Sequence, residues 1–205
     1  TDFDLPIRGR GEDGYTVEEK QGGRAVETAI KVRAQVRSLA LARAAFTLFR
    51  GSPPPAAALA RTSRLPLPGR FEHLPGRPGF LFDVAHTPRS LAGLARPLRT
   101  WFPRRRLLLL FGSARDKRWR RPLSLLSALA AETWLVTLPG DRGVEPALLA
   151  EAAVGPVRPA PSIDAALAGL HRLRGGEELV LVTGSHLLVG PVREACFAER
   201  NLPHA

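Results

Sequence analysis

GFLFDVAHTP, Gly79 to Pro88, describes a strand that runs into a helix. Phe80, Leu81 and Phe82 show no polar alternation, so both faces of this strand must be covered by other parts of the chain. The run ends at Asp83, and Thr87-Pro88 is a helix start, because proline pre-sets the first helical φ and lacks only an N–H that the first turn leaves unpaired. A helix from Pro88 to about Arg99 is expected. The same alternation recurs downstream: RLLLLF (106–111) precedes a helix from about Arg118 to Ala131, and TWLVT (133–137) precedes one from Glu145 to Ala153. SIDAALAGLHRL (162–173) has helical spacing behind a Ser162 N-cap, and ELVLVT (178–183) leads into HLLVGPVREACFAE (186–199), a helix expected to be interrupted at Gly190-Pro191. Continuous apolar strands, each followed by a helix, predict an α/β fold with a doubly wound, mostly parallel, Rossmann-like sheet.

Upstream the pattern changes. DFDLPI (2–7), GYTVEE (14–19) and AVETAIKV (25–32) read as short strands separated by glycine-containing turns. From Gln35 to Phe49 apolar residues recur at helical spacing (Val36, Leu39, Ala42, Phe46, Phe49), until Gly51-Ser52 and three prolines stop the helix. Ala56 to Ala60 predicts another helical turn, and the proline-punctuated RLPLPGR that follows marks a boundary between residues 1–64 and residues 65–205.

Composition narrows the function classes. A net charge of +11 and a pI near 11.4 invite a nucleic-acid partner, yet only Lys20, Lys31 and Lys117 among the 30 basic residues are lysine. The arginines are scattered among alanine, glycine, proline and leucine, and the densest cluster, Lys117 to Arg121, holds a single aromatic, Trp119. Single-strand platforms interleave several aromatics, so a solvated basic face is the expectation and nucleic acid is not. No apolar run approaches the roughly 20 residues that span a bilayer and no signal segment opens the chain, which predicts a cytoplasmic protein with no membrane partner. The single cysteine, Cys196, has no disulfide partner in the chain and reads as a buried structural thiol, and no His/Cys/carboxylate cluster has metal-ligand spacing. The 205 residues carry neither GxxxxGK[ST] nor GxSxG.

In an open α/β sheet ligands bind beyond the carboxyl ends of the strands. Three segments qualify: Asp83 to His86, Gly112 to Lys117 and Thr183 to His186. Asp83 is open to three readings, as an acceptor for ribose hydroxyls, a metal ligand through water, or a cap for the next helix. His86 lies at a helix start, where free N–H groups favour an anion. Arg70, in a Pro-Gly-Arg turn, offers a planar fork suited to phosphate. Gly112-Ser113 and Gly184-Ser185 read as tight strand-to-helix turns. Together these make half a site.

In order along the chain these pieces resemble the folylpolyglutamate synthase/dihydrofolate synthase family of the Mur ligase superfamily. VRAQVRSLALA (32–42) is similar to its GxHQxxNAxxA, LPGRFE (67–72) to its linker motif, DVAHTP (83–88) to DGAHNP, FGSARDK (111–117) to G…DKD, and LVTGSHLLVGPVR (181–193) to TGSLYLVGEVR. The resemblance implies a Mur ligase C-terminal domain over residues 65–205, with residues 1–64 the tail of an N-terminal ATP-binding domain. It implies an ATP-dependent ligase in which a phosphorylated dihydropteroate or folate carboxylate is attacked by the amine of L-glutamate. Arg70 would contact ATP phosphate, Asp83 the ribose and Ser38 the nucleotide, while His86, as catalytic and substrate-binding group, and Ser185 would lie near the glutamate. Magnesium ligands and P-loop belong in the family to the N-terminal domain, expected to precede Thr1 in cis or to come from a separate subunit; a monomer is expected. The sequence departs from the family pattern at Ala34, Ser38, Val84, Thr87 and Arg118, all on the nucleotide side. Those departures sustain an alternative, a non-catalytic protein that binds a nucleotide or polyanion and keeps the motifs only as structure.

Overall fold

In a computed structural model, residues 7–9, 15–17, 26–28, 33–173 and 177–200 are described. The chain divides into two compact units, Thr1–Pro66 and Leu67–Ala205. The first contains an antiparallel sheet in the order β1 (Ile7–Gly9), β2 (Tyr15–Val17), β3 (Val26–Thr28), then α1 (Arg33–Arg50) and α2 (Ala56–Thr62). Most of the expected strand 2–7 lies outside the described residues. On α1, Val36 and Ala40 are buried one turn apart, whereas Leu41, Phe46, Leu48 and Phe49 are exposed.

The second unit is built on a six-stranded sheet in the order β4-β5-β9-β6-β7-β8. Its strands are β4 (Arg70–Leu74), β5 (Gly79–Asp83), β6 (Arg106–Phe111), β7 (Glu132–Leu135), β8 (Val157–Pro159) and β9 (Glu178–Thr183). Only β4 is antiparallel to its neighbour; the other pairings are parallel. The helices are α3 (Pro88–Ala92), α4 (Ala95–Trp101), α5 (Arg120–Ser127), α6 (Pro146–Ala150), α7 (Ile163–His171) and α8 (His186–Ala198). Phe80, Phe82, Leu108, Leu110, Val180 and Val182 pack with Leu167 and Leu170 of α7 and Leu188, Val189 and Val192 of α8 in one core. The intervening Leu81, Leu109 and Leu181 alternate to the opposite face and are also fully buried. Each such side chain contributes about 1.5–3 kcal/mol on burial. Because β9 enters between β5 and β6, the carboxyl ends of all three strands meet at the centre of one edge.

Several expectations need correction. Arg70 closes the expected turn, its N–H donating to the Leu67 carbonyl at 3.0 Å, and also opens β4, a strand hidden from a periodicity reading by a register shift between Arg70 and Glu72. β8 was also unexpected: it has three residues, two of them exposed. The helix expected over 88–99 is two, divided at Gly93. α8 runs unbroken through Pro191, whose ring lies on the exposed side beside Gly190. Cys196 is buried among apolar residues, and desolvation pushes its thiol up to about 12. It is an inert core residue.

One glycine is indispensable to the central edge. Gly184 has φ +109°, and a Cβ there would stand 2.4 Å from the Gly112 carbonyl oxygen and 2.8 Å from the Phe111 ring. The turns after β6 and β9 therefore touch backbone to backbone. Gly184→Ala is expected to cost about 2–4 kcal/mol, from left-handed strain plus overpacking, read as a lower urea midpoint at unchanged m.

Candidate functional site

The site is built at the corner where β4 meets the end of β5. Phe71 has φ +53°, a left-handed conformation unusual for a bulky residue, and it forms the bulge that separates Arg70 from Glu72. Asp83 supports it. One Asp83 oxygen accepts from the Phe71 N–H at 2.9 Å and the other from the Ala85 N–H at 2.9 Å, and the residue is 8% exposed. Burial raises the Asp83 pKa above its ordinary value, while these two N–H groups and the nearby Arg70 act to lower it. Asp83 is not the helix cap: Thr87 caps α3 in a reciprocal capping box with Ser90. The carboxylate instead fixes the bulge from which exposed Arg70 projects.

Glu72 holds the same turn from the other side. Its Oε2 accepts from the Gly69 N–H at 2.7 Å and from Arg193 Nε at 2.8 Å, and its Oε1 accepts from Arg193 Nη2 at 2.8 Å. Both side chains are largely buried, at 15% and 12% exposure, and Arg193 also covers the Phe197 ring at 4.2 Å. This two-pronged pair ties α8 to the Pro-Gly-Arg turn.

Basic groups converge beyond the strand ends. His86 donates from Nδ1 to the Val84 carbonyl at 3.0 Å, since a carbonyl only accepts, and this leaves Nε2 for a ligand. Its ring centroid is 5.4 Å from that of His186, the first residue of α8. Desolvation, then the neighbouring His86 and Arg70, lower the His186 pKa. Ser185 caps α8, its hydroxyl accepting from the Leu187 N–H at 3.2 Å. A cleft of about 270 Å³ opens here, lined in part by His86, Asp116, Lys117, Arg142, Ser185 and His186. Its wall after β6 is pinned to the 142–144 segment, with Arg115 N donating to Arg142 O and Val144 N to Ser113 O, both at 2.9 Å. Two histidines, an arginine and a helix N-terminus around one cleft favour an anion.

Of the residues expected from the sequence, Arg70, Asp83, His86 and Ser185 all belong to this edge, and Ser38 lies on α1 of the other unit. Glu72, Arg193 and His186 were missed. Among the described residues no group of three or more His, Cys, Asp or Glu side chains is placed to hold a metal, and no helix is long and apolar enough to cross a membrane.

The lowered His186 pKa has a measurable consequence. The unfolded chain takes up this proton first on acidification, so His186 contributes stability fully above about pH 6.5 and loses it as pH falls toward its lowered folded value. His186→Gln is expected to gain in thermal midpoint relative to the natural sequence as pH drops below about 6.5, and to match it at pH 8.

A family model described as the Mur ligase, glutamate ligase domain, matches residues 69–186, from the glycine of the Arg70 turn to the histidine that opens α8. The chain belongs to that family. A curated relative, the dihydrofolate synthase/folylpolyglutamate synthase of Escherichia coli (strain K12), is 31% identical over 139 residues, which is 66% of this chain and 32% of the relative. The Mycobacterium tuberculosis folylpolyglutamate synthase complexed with ADP and AMPPCP superposes with a TM-score of 0.80 at 23% identity, over 93% of this chain and 47% of that one. The E. coli FolC in complex with ADP, without folate substrate, gives 0.79 at 25% identity, over 98% and 48%. The Yersinia pestis bifunctional folylpolyglutamate synthase/dihydrofolate synthase with Mn, AMPPNP and L-glutamate bound gives 0.76 at 23%, over 95% and 46%. The chain thus spans 32% of the curated relative's length and about half of these structures. The mostly parallel sheet with flanking helices is the fold of this glutamate ligase domain, and the resemblance to the folylpolyglutamate synthase/dihydrofolate synthase family agrees with these relatives.

Proposed function

We propose that this chain is part of an ATP-dependent amide ligase that adds L-glutamate to dihydropteroate or folate through an acyl phosphate. The observation that carries the reading is the convergence of Arg70, His86 and His186 beside the capped start of α8, on an edge held by Asp83 and by the Glu72–Arg193 pair. Relatives that share the fold bind ADP or AMPPNP, and one binds L-glutamate and Mn. The exposed cationic fork of Arg70 fits a nucleotide's phosphates in charge, and the two imidazoles offer ring nitrogens for hydrogen bonds beside it. ATP supplies the phosphoryl group that makes the acceptor carboxylate reactive toward an amine. Arg70 binds anionic oxygens, and His86, with Nε2 exposed to the cleft, takes the proton that the glutamate amine loses. Ser185 and the α8 N-terminus hold a glutamate carboxylate. Asp83 meets the ribose through lone pairs not used by Phe71 and Ala85, and Ser38, on α1, is a nucleotide-binding residue of the ATP-binding domain in this reading. Residues 1–64 are the closing part of an ATP-binding domain; the exposed apolar side chains of α1 support their belonging to a larger body. Magnesium ligands and P-loop belong to that domain in this reading.

The test follows the atoms. With the acceptor carboxylate labelled in heavy oxygen and the complete protein supplied with ATP and L-glutamate, one labelled oxygen should appear in each released phosphate. Phosphate without label rules out the acyl phosphate.

A further inference from the structure

Of the basic segment Lys117 to Arg121, only Lys117 lines the site above. Beside the cleft runs a second groove of about 730 Å³, rimmed by Arg115, Lys117, Arg118 and Arg121. Its floor includes Pro88, Trp119, Val144 and Leu148. Lys117 lines both cavities, so the groove adjoins the site. Some rim charges are already engaged. Arg115 Nε donates to the Gly143 carbonyl at 2.9 Å, and Lys117 pairs with Asp116 at 2.7 Å. Arg118 and Arg121 have no ion-pair partner among the described residues and are exposed.

We propose that this groove binds the acidic tail of the glutamylated acceptor, a linear chain of α-carboxylates separated by methylene pairs and amides. The proposal rests on the ligase reading for the identity of the tail, and on charge complementarity and floor chemistry for the site. Spaced, unconverged cations suit carboxylates spaced along a chain. Exposed Pro88 and Leu148 suit the methylene pairs between them, for which a polyphosphate has no counterpart. Nucleic acid fits less well: Trp119 is 6% exposed and the Arg120 guanidinium covers its ring at 4.9 Å, so no aromatic face is open to a base. A growing tail held here would stay attached between additions.

The test measures binding by the 205-residue chain at low ionic strength, using a γ-linked glutamyl tetrapeptide as the probe. Arg118→Ala/Arg121→Ala is expected to weaken it about tenfold, the worth of two exposed charge pairs. The control, Arg61→Ala/Arg64→Ala, removes the same charge from exposed positions in the other unit and should leave binding unchanged. Unfolding midpoints of both variants should match the natural chain. Equal loss in the two variants, or no loss in either, overturns the groove. Tighter binding of inorganic tripolyphosphate or a single-stranded oligonucleotide than of the peptide overturns the carboxylate assignment. The two readings separate cleanly. Peptide binding lost in the groove variant of a protein that shows no ATP-dependent glutamylation removes the ligase reading and keeps the groove, whereas glutamylation without peptide binding does the reverse.

Discussion

Replacing Arg70 by alanine in the proposed ligase is expected to lower glutamyl-ligation turnover by about 10²–10³, the usual loss when one preorganised charge donor is removed from a developing anion. The fold should be untouched, because Arg70 is exposed and the bulge beneath it is held by Asp83 and Glu72 through backbone N–H groups. Arg70→Lys should recover only part of the loss, since an ammonium cannot present the planar fork. The substitution has a second signature. Arg70 acts to lower the Asp83 pKa, so its removal lets burial raise that pKa further. A group whose folded pKa is raised gives its stability fully below the unfolded value and loses it as pH rises through the folded one. Arg70→Ala should therefore be relatively more stable in acid than near neutrality, a trend read from urea midpoints across pH. Unchanged turnover removes Arg70 from the reaction.

The second large effect concerns stability. Arg193→Ala is expected to cost about 3–5 kcal/mol in urea unfolding of the chain, because it leaves the Glu72 carboxylate largely buried and opposed only by the Gly69 N–H. Donation to the Glu72 carboxylate is the main reason the Arg193 pKa is raised, so the guanidinium is charged at every accessible pH. Arg193→Lys should restore less than half of the loss, because one ammonium cannot meet both carboxylate oxygens. A cost below about 1 kcal/mol would place the pair with ordinary surface ion pairs and remove its role in holding the turn. Ligation should fall with stability, because Glu72 fixes the Gly69 N–H one residue before Arg70.

The sequence displayed some of this and concealed the rest for physical reasons. β5, β6 and β9 were legible because strands covered on both faces are apolar at nearly every position, as their burial confirms. β4 was not, since its bulge breaks the period and places a phenylalanine in a left-handed conformation that no pattern announces. β8 contains an arginine and a proline at a sheet edge. Asp83, His86 and Ser185 stood out because they follow such strands; Arg70 stood out through its motif. The Glu72–Arg193 pair joins residues 121 positions apart, and only their presence in two quoted motifs, PGRFE and GPVR, hinted at the link. His186 closed one of the three strand-end segments, Thr183 to His186, but nothing in the pattern set it apart from Ser185 beside it.

The most direct measurement is the mass of the acceptor after incubation of the complete protein with ATP, L-glutamate and dihydropteroate or folate. The account predicts a gain of one or more glutamyl residues, strictly dependent on ATP and lost in Arg70→Ala. An acceptor of unchanged mass, from a protein shown to bind ATP, would contradict it.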